Sequence, residues 1–279
     1  MKLGFVGGGV VGKATAKAFM EWAEIRIHDQ VAERATHTLR EVLDCELVFV
    51  CLPTPQKAGS LECDLTILRA FFSASHAMGY DECHFVIRST VPIGTTRKLK
   101  EDYGLKNICH SPEFLTARCA LTDAQTPSRN IIGSVYEEGL LGETDARLRE
   151  LYHKRFAGVP TICMTSNESE AVKLFLNGFF AVKVAYFNEI RDLADATGLD
   201  WNLVMAGVMS DGRIAHSHTQ VPGHDGKFGF GGTCLPKDLA NLISCIRDCQ
   251  TDDGGIIVGP RPYVTSAALA RNLKDRERK

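Results

Sequence analysis

The stretch KLGFVGGGVVGKATAKAFMEWAEIRIHD, residues 2–29, decides the fold. Lys2–Val6 is a short apolar run of strand character, Val10–Trp22 has helical spacing, and Glu24–His28 is a second strand-like run. Between the first run and the helix stands Gly7-Gly8-Gly9-Val10-Val11-Gly12, which satisfies GxGxxG. A strand that ends in this turn and opens a helix begins a βαβ unit of the dinucleotide-binding kind. Gly7 permits the tight turn, Gly9 lets a pyrophosphate approach the backbone, and Gly12 lets the helix pack closely on the strand. The helix N-terminus then faces the phosphates. Asp29, seventeen residues after Gly12, stands where an acid can hold the ribose hydroxyls and favours NAD over NADP. Arg34 pulls the other way, since a nearby Arg can accept a 2′-phosphate. Without its flanks the glycine run would fit an ordinary turn; the strand before it, the helix after it and the acid beyond them point to a cofactor.

Outward from this unit the alternation continues. Glu46–Leu52, His84–Ser89, Asn130–Gly133 and Thr161–Met164 read as buried strands between helical segments, which predicts a parallel, doubly wound Rossmann-type sheet over residues 1–165. The pattern changes at Thr165. Ser166 or Asn167 can cap a helix with Glu168 and Glu170 in its first turn, and the next thirty residues contain no Pro and only Gly178. Val172, Phe175, Leu176, Phe179, Phe180, Phe187, Ile190 and Leu193 cover more than one face, so the helix is expected to be widely buried, as between domains or in a dimer. Gly198 is the expected stop. Residues 166–279 thus read as a second, helical domain, with a helix from Lys237 to about Asp248, a loop over Thr251–Pro262 and a last helix over Val264–Leu273.

Composition narrows the classes. The 279 residues are 44% hydrophobic and 24% charged, and the net charge of −2 makes no electrostatic case for nucleic acid or an anionic membrane. No stretch approaches the roughly 18 apolar residues of a membrane span, and the glycine-rich start does not read as a signal peptide. The ten cysteines form no CxxC pair, so neither a zinc ribbon nor another metal site is expected, and reduced thiols in a cytoplasm are the default. The basic end, Lys274–Lys279, has acids interleaved and reads as a solvated terminus.

Phe228-Gly229-Phe230-Gly231-Gly232-Thr233-Cys234-Leu235-Pro236-Lys237-Asp238 carries the chemistry. Four glycines let backbone approach a ligand, and Cys234 follows them at the start of a helix. A helix N-terminus and Lys237 would both favour the thiolate, the nucleophilic form. Asp238, one turn on, could position water or take a proton. The plain alternative is an inert structural thiol. Lys173 and Asn177, four apart on the apolar helix, project from one side and could donate to an oxyanion. Lys173 could equally snorkel to solvent. Ser111-Pro112-Glu113-Phe114-Leu115 follows a strand expected at Lys106–Cys109, so Glu113 is a candidate acid or base, though on its own it fits a surface loop acid. Thr90, in Ser89-Thr90-Val91-Pro92, also follows a strand and may share that edge.

The ordered set resembles the UDP-glucose/GDP-mannose dehydrogenase family: GxGxxG, Leu52-Pro53-Thr54-Pro55, STVPxGTT over 89–96, SPEFL over 111–115, the Lys173/Asn177 helix, Asp211-Gly212-Arg213-Ile214, and GFGGxCxPKD over 229–238. The resemblance runs from the first strand to the last helix and leans toward members that oxidise UDP-glucose, with GDP-mannose and other sugar nucleotides as alternatives. It implies a four-electron oxidation of the hexose C6 to a carboxylate with two NAD, in a homodimer. Asp238 and Lys173 would assist the first hydride transfer, and Cys234 would carry a thiohemiacetal and then a thioester. Glu113 and Thr90 would help water hydrolyse that thioester, and Lys173 and Asn177 would stabilise oxyanions. It further implies cofactor contacts from Gly7, Gly9, Val10, Val11, Gly12, Asp29, Arg34, Thr54, Thr90 and Lys237. Substrate contacts would come from Glu113, Phe114, Leu115, Lys173, Asn177, Gly223, Lys227, Phe228, Gly231 and, across the dimer, Arg213. Two departures stand out. The chain ends where the family's usual third domain would begin, and Ala117-Arg118 replace a Glu-Gly pair that usually follows SPEFL. Two other readings remain open: a single-step 3-hydroxyacid-type dehydrogenase, which leaves Cys234 unexplained, and an inactive remnant that binds NAD.

Overall fold

The computed structural model describes residues 1–136, 142–253 and 256–278. It divides into two compact units, Met1–Pro55 with Cys63–Lys173 and Gln56–Glu62 with Leu174–Lys279. The division falls inside one long helix, after Lys173.

The first unit is built on a seven-stranded sheet of β1 (Lys2–Val6), β2 (Glu24–His28), β3 (Leu47–Val50), β4 (His84–Ile87), β5 (Asn107–His110), β6 (Asn130–Ser134) and β7 (Thr161–Thr165), in the order β2-β1-β3-β4-β5-β6-β7. Strands β1 to β5 are parallel, as expected for a Rossmann-type sheet. The expectation of an all-parallel sheet is corrected at β6, which runs antiparallel to β5 and parallel to β7. Helices α1 (Val10–Phe19), α2 (Leu39–Leu43), α3 (Thr66–Ala77), α4 (Thr95–Tyr103), α5 (Ala120–Gln125) and α6 (Glu143–Arg155) join the strands.

The strands carry apolar residues on both faces because both faces are covered. Phe5, Phe49, Val86, Cys109 and Ile132 point to one side, where Phe19 of α1 and Leu148 and Tyr152 of α6 pack on them. Val48, Val50, Phe85, Ile87 and Ile108 point to the other, against Leu68 and Phe72 of α3 and Leu99 of α4. The rings of Phe5 and Phe49 stack at 5.0 Å, and Phe72 meets Phe85 edge-on at 5.2 Å, geometries that add to plain burial.

Helix α7 (Ser166–Thr197) begins directly after β7 and ends at Gly198, whose φ of 69° is the left-handed stop expected there. Its later part belongs to the second unit with α8 (Trp201–Met209), α9 (Leu235–Asp248) and α10 (Tyr263–Glu277). Ala181, Ala185, Leu239, Ile243 and Ala268 form that unit's core. A Cβ on Gly178 would lie 2.5 Å from Leu242, so glycine is what lets α7 and α9 approach there. The widely apolar surface of α7 is only partly covered within this chain: Phe175, Phe179, Tyr186 and Leu193 stay exposed.

Two expectations fail here. Thr251–Pro262 is not all loop, because β8 (Thr251–Asp253) and β9 (Ile256–Val258) pair as an antiparallel hairpin. The described part of the basic end, 274–278, is not a free terminus either. It is the last turn of α10, where Asp275 is 2% exposed beneath Arg271, Arg276 ion-pairs with Asp225, and Arg278 pairs with Asp192. Among the described residues no helix is long and apolar enough to cross a membrane, and no cluster of metal-binding side chains occurs.

Candidate active site

In the sheet unit the cofactor cradle forms as its glycines demand. Gly7 has φ of 102°, and a Cβ on Gly12 would lie 1.9 Å from the Gly7 carbonyl. A Cβ on Gly9 would meet nothing within 4 Å, so space remains in front of the turn where a pyrophosphate would lie. No acidic side chain occupies the first turn of α1. Asp29 follows β2 and accepts from the Gly8 amide at 2.6 Å and the Val31 amide at 2.8 Å. Burial raises its pKa, but these two amides and the Arg34 charge outweigh that and leave it lowered, so the carboxylate is ionised for a ribose. The residues fit a dinucleotide: Gly9, Val10 and Val11 would face the phosphates and Asp29 the adenosine ribose. Thr54, after β3, donates to the Thr90 carbonyl at 2.7 Å and ties together two of the loops expected at this edge.

Glu113 and Lys173 form the second cluster of this unit. Lys173 Nζ donates to Glu113 Oε1 at 2.9 Å and to the Glu113 carbonyl at 2.7 Å, while Glu113 Oε2 accepts from the Leu115 amide at 2.6 Å. Both side chains are buried, at 5% and 8% exposure. Glu113 is thus no surface acid, and Lys173 does not snorkel. Burial alone would raise the Glu113 pKa; the Lys173 ammonium and the Leu115 amide overcome it and hold it lowered. Phe114 lies between two cations, with Lys173 5.7 Å and Arg129 4.2 Å from its ring centre. Glu113, Phe114, Leu115, Arg88 and Arg129 line a cavity of about 240 Å³.

Two supports of this cluster escape sequence reasoning. Arg88, at the end of β4, donates to the Ser111 carbonyl at 3.0 Å and to the Tyr152 hydroxyl at 3.1 Å, fixing the turn before Glu113. A cation closing the apolar run His84–Ile87 was the available signal. Glu170, one turn before Lys173 on α7, caps α4: it accepts from the Gly94 amide at 2.6 Å and from the Thr96 amide and hydroxyl at 2.8 and 2.6 Å. It thereby anchors the loop that carries Thr90.

Cys234, the nucleophile expected from the sequence, lies in the helical unit. Cys234 is the N-cap residue of α9 and is exposed, its Sγ 3.8 Å from the Thr233 hydroxyl. The Asp238 amide donates back to the Cys234 carbonyl at 2.9 Å. The Asp238 carboxylate, 1% exposed, accepts from Asn177 Nδ2 at 2.6 Å and from Lys237 Nζ at 2.5 Å. Lys237 thus offsets the Asp238 charge with one of its three N–H donors, and Asn177 gives one of its two amide N–H donors to the same carboxylate.

The remaining expected substrate residues of this unit sit on the segment before Cys234. Gly223 donates to the Lys227 carbonyl at 2.8 Å and closes a turn. The Arg278 guanidinium covers the Phe228 ring at 3.9 Å, and Gly231 packs under the Arg276 guanidinium. Arg213 projects outward with its side chain 90% exposed, paired to Asp211. The segment around it is held by Lys183 donating to the Ala215 carbonyl at 2.6 Å and by His218 stacking on Phe180 at 4.2 Å.

Two family models match in order: the NAD binding domain of the UDP-glucose/GDP-mannose dehydrogenase family over residues 24–156, and its central domain over residues 167–255. The chain belongs to that family. It carries the family's NAD binding domain, so NAD is its cofactor. UDP-glucose 6-dehydrogenase of Pseudomonas aeruginosa is 33% identical, with 99% of this chain and 66% of that protein covered. The enzyme of the same name from Streptococcus pneumoniae is 32% identical over 82% of this chain and 58% of its own length. The UDP-glucose dehydrogenase structure from Pyrobaculum islandicum superposes with a TM-score of 0.78 at 25% identity, covering 98% of this chain and 68% of that one. This family member therefore spans less than two thirds of the length of the two curated relatives.

Proposed function

We propose that the chain oxidises the C6 hydroxymethyl group of a UDP-linked hexose, UDP-glucose first among them, to a carboxylate. The observation that carries this is Cys234: an exposed thiol capping α9 at the end of a glycine-rich loop, one turn before a buried carboxylate held by Asn177 and Lys237. The single-step hydroxyacid reading has no use for such a thiol. Bound NAD supplies the hydride acceptor in each of two oxidations.

This chain's residues do the rest. The first oxidation removes a hydride and a proton from the alcohol and leaves an aldehyde. The Cys234 thiolate adds to the aldehyde carbon and forms a thiohemiacetal, which keeps the aldehyde bound. The second oxidation removes the hydride from that carbon and gives a thioester. Water attacks the thioester, the C–S bond breaks, and the thiol returns as the carboxylate leaves. Asp238 and Lys173 handle the proton of the alcohol, and the ionised Glu113, with Thr90 nearby in sequence to β4, directs the water. Lys173 and Asn177 offset negative charge on the reacting oxygen.

The functional form is a homodimer, supported by Phe175, Phe179, Tyr186 and Leu193 exposed along α7. Arg213 serves the partner's substrate. The exposed Cys234 thiol persists in a reducing compartment, the cytoplasm. NADH released per substrate consumed, over a panel of UDP-, GDP- and acetamido-sugar nucleotides, tests the reading. Two NADH per UDP-glucose is expected; one per substrate, or preference for GDP-mannose, overturns it. Cys234→Ser is expected to lower uronate formation at least about a thousandfold while NAD binding persists, because a serine hydroxyl is hardly ionised near neutral pH. Cys245→Ser and Cys249→Ser keep activity.

A further inference from the structure

The segment 210–234 contains no helix or strand, so nothing regular fixes the path that delivers Cys234 to the start of α9. Two consecutive backbone amides on that path, those of Gly229 and Phe230, are buried and need acceptors. Both acceptors are side-chain amide oxygens from distant helices. Asn188 of α7 accepts from Gly229 at 2.9 Å, and Asn272 of α10 accepts from Phe230 at 2.6 Å. These asparagines are 1% and 4% exposed. Asn188 is itself locked, donating to the Val184 carbonyl at 2.8 Å.

Helix α10 grips the loop at three further points. Arg276 ion-pairs with Asp225 at 2.8 Å, and its guanidinium lies within 2.9 Å of where a Gly231 Cβ would stand. Arg278 covers Phe228. A Cβ on Gly229 would lie 2.4 Å from the Asn272 oxygen, and Gly229 has φ of 72°. The glycines of the loop therefore have a use besides admitting ligand: they let α10 come into direct contact with the loop backbone.

We infer that Asn272 and Arg276 of α10, with Asn188 of α7, are positioning residues for the nucleophile Cys234. The inference rests on the reading of Cys234 as nucleophile, but its test does not need turnover. Removing the Asn272 oxygen leaves the Phe230 amide buried without an acceptor, and the loop must move to satisfy it. The thiol four residues on moves with it.

The experiment measures alkylation of Cys234 by iodoacetamide in the full chain, by peptide mass spectrometry, with exposed Cys249 of the same unit as internal reference. For Asn272→Leu the Cys234-to-Cys249 rate ratio is expected to change at least about fivefold. Arg276→Gln, at a less buried position, is expected to change it in the same direction and serves if Asn272→Leu does not fold. Ile243→Val loosens the core that also holds Phe230 but removes no hydrogen bond to the loop, and it leaves the ratio at the parent value. In turnover, Asn272→Leu lowers kcat with little change in KM for NAD. A ratio within twofold of the parent in folded Asn272→Leu or Arg276→Gln overturns the inference. Retained ratios together with an active enzyme would leave Cys234 as nucleophile; shifted ratios in an enzyme indifferent to Cys234→Ser would sink the functional reading alone.

Discussion

The two units hold their reactive groups in opposite ways. In the sheet unit Glu113, Lys173 and Glu170 are buried and already partnered, and their places follow from a close-packed parallel core with Phe5, Phe49 and Phe85 fully buried. In the helical unit the Cys234 thiol is exposed, and what is buried lies around it on the packed helices: Asp238, Asn188, Asn272 and Asp275. Charge in the sheet unit is kept from water with a counter-charge or with hydrogen-bond donors, whereas the Cys234 thiol stands in the open at the end of a loop held by buried side chains. Removing a group from the first unit should therefore cost folding free energy, and removing one from the second should cost function first.

The largest expected effect is at Lys173. Lys173→Met strands the Glu113 carboxylate in a buried site, and breaking such a pair costs about 3–5 kcal/mol. Urea unfolding measures it. Lys173→Met with Glu113→Gln should recover most of the loss, and failure to do so would mean that the pair contributes through packing.

The two buried glutamates of the sheet unit should also part company in pH. Glu113 has a lowered folded pKa, so its contribution is present above the unfolded value and is lost as pH falls through the folded one. Burial raises Glu170 to about 7 despite its three donors. Its contribution is full below the unfolded value of 4.5 and disappears as pH rises through about 7. Stability of the parent should accordingly fall between pH 4.5 and 7 by up to about 3 kcal/mol from this group. Glu170→Gln should flatten that decline; an unchanged slope would assign it to other groups.

A smaller effect tests the exposed side of α7. Phe179→Glu should weaken self-association at least tenfold by sedimentation while leaving the thermal transition of the sheet unit in place. A parent chain that sediments as a monomer at every concentration would dispose of the dimer. The smallest effect concerns Asp29. Asp29→Ser should reduce the preference for NAD over NADP by roughly tenfold, about 1.4 kcal/mol, because the charge opposing a 2′-phosphate is removed. Equal use of both cofactors by the parent would contradict that role for Asp29.

What could be read in the sequence was local or strongly periodic. The turn at Gly7–Gly12, the strands through β7 and the Gly198 stop each depend on a few adjacent residues. So did the choice of Glu113, Lys173 and Cys234, which lie in short, unusual contexts. Strand direction at β6 was not readable, because Asn130–Ser134 has the same apolar run either way and the path between β5 and β6 decides it. The β8–β9 hairpin was missed because three-residue strands such as Thr251–Asp253 carry no period. Lys237 was assigned to Cys234 by proximity in sequence; the structure also shows it paired with Asp238, a carboxylate that burial requires to be paired. The end of α10 looked solvated because interleaved charges usually are, and its partners Asp192 and Asp225 lie some 50 to 86 residues away.

The reversed pair β6–β7 determines where the chain departs from the sheet. Because β7 runs against β1 to β5, the chain reaches Thr165 heading away from the edge that carries the Gly7–Gly12 turn and Glu113, and Thr165 stands in register with Ser134 and, through it, Cys109. Helix α7 starts there and climbs back over the sheet. Gly133, whose Cβ would lie 2.4 Å from Ser169, lets it lie directly on β6. Ser169, its Oγ 2.8 Å from His110 Nδ1, is already beside the last residue of β5, and one helical turn of about 5.4 Å further on stands Lys173. Had β7 been parallel to β5, α7 would have begun at the ligand edge and carried Lys173 away from Glu113. One change of strand direction thus brings this lysine, sixty positions along the chain, to its glutamate.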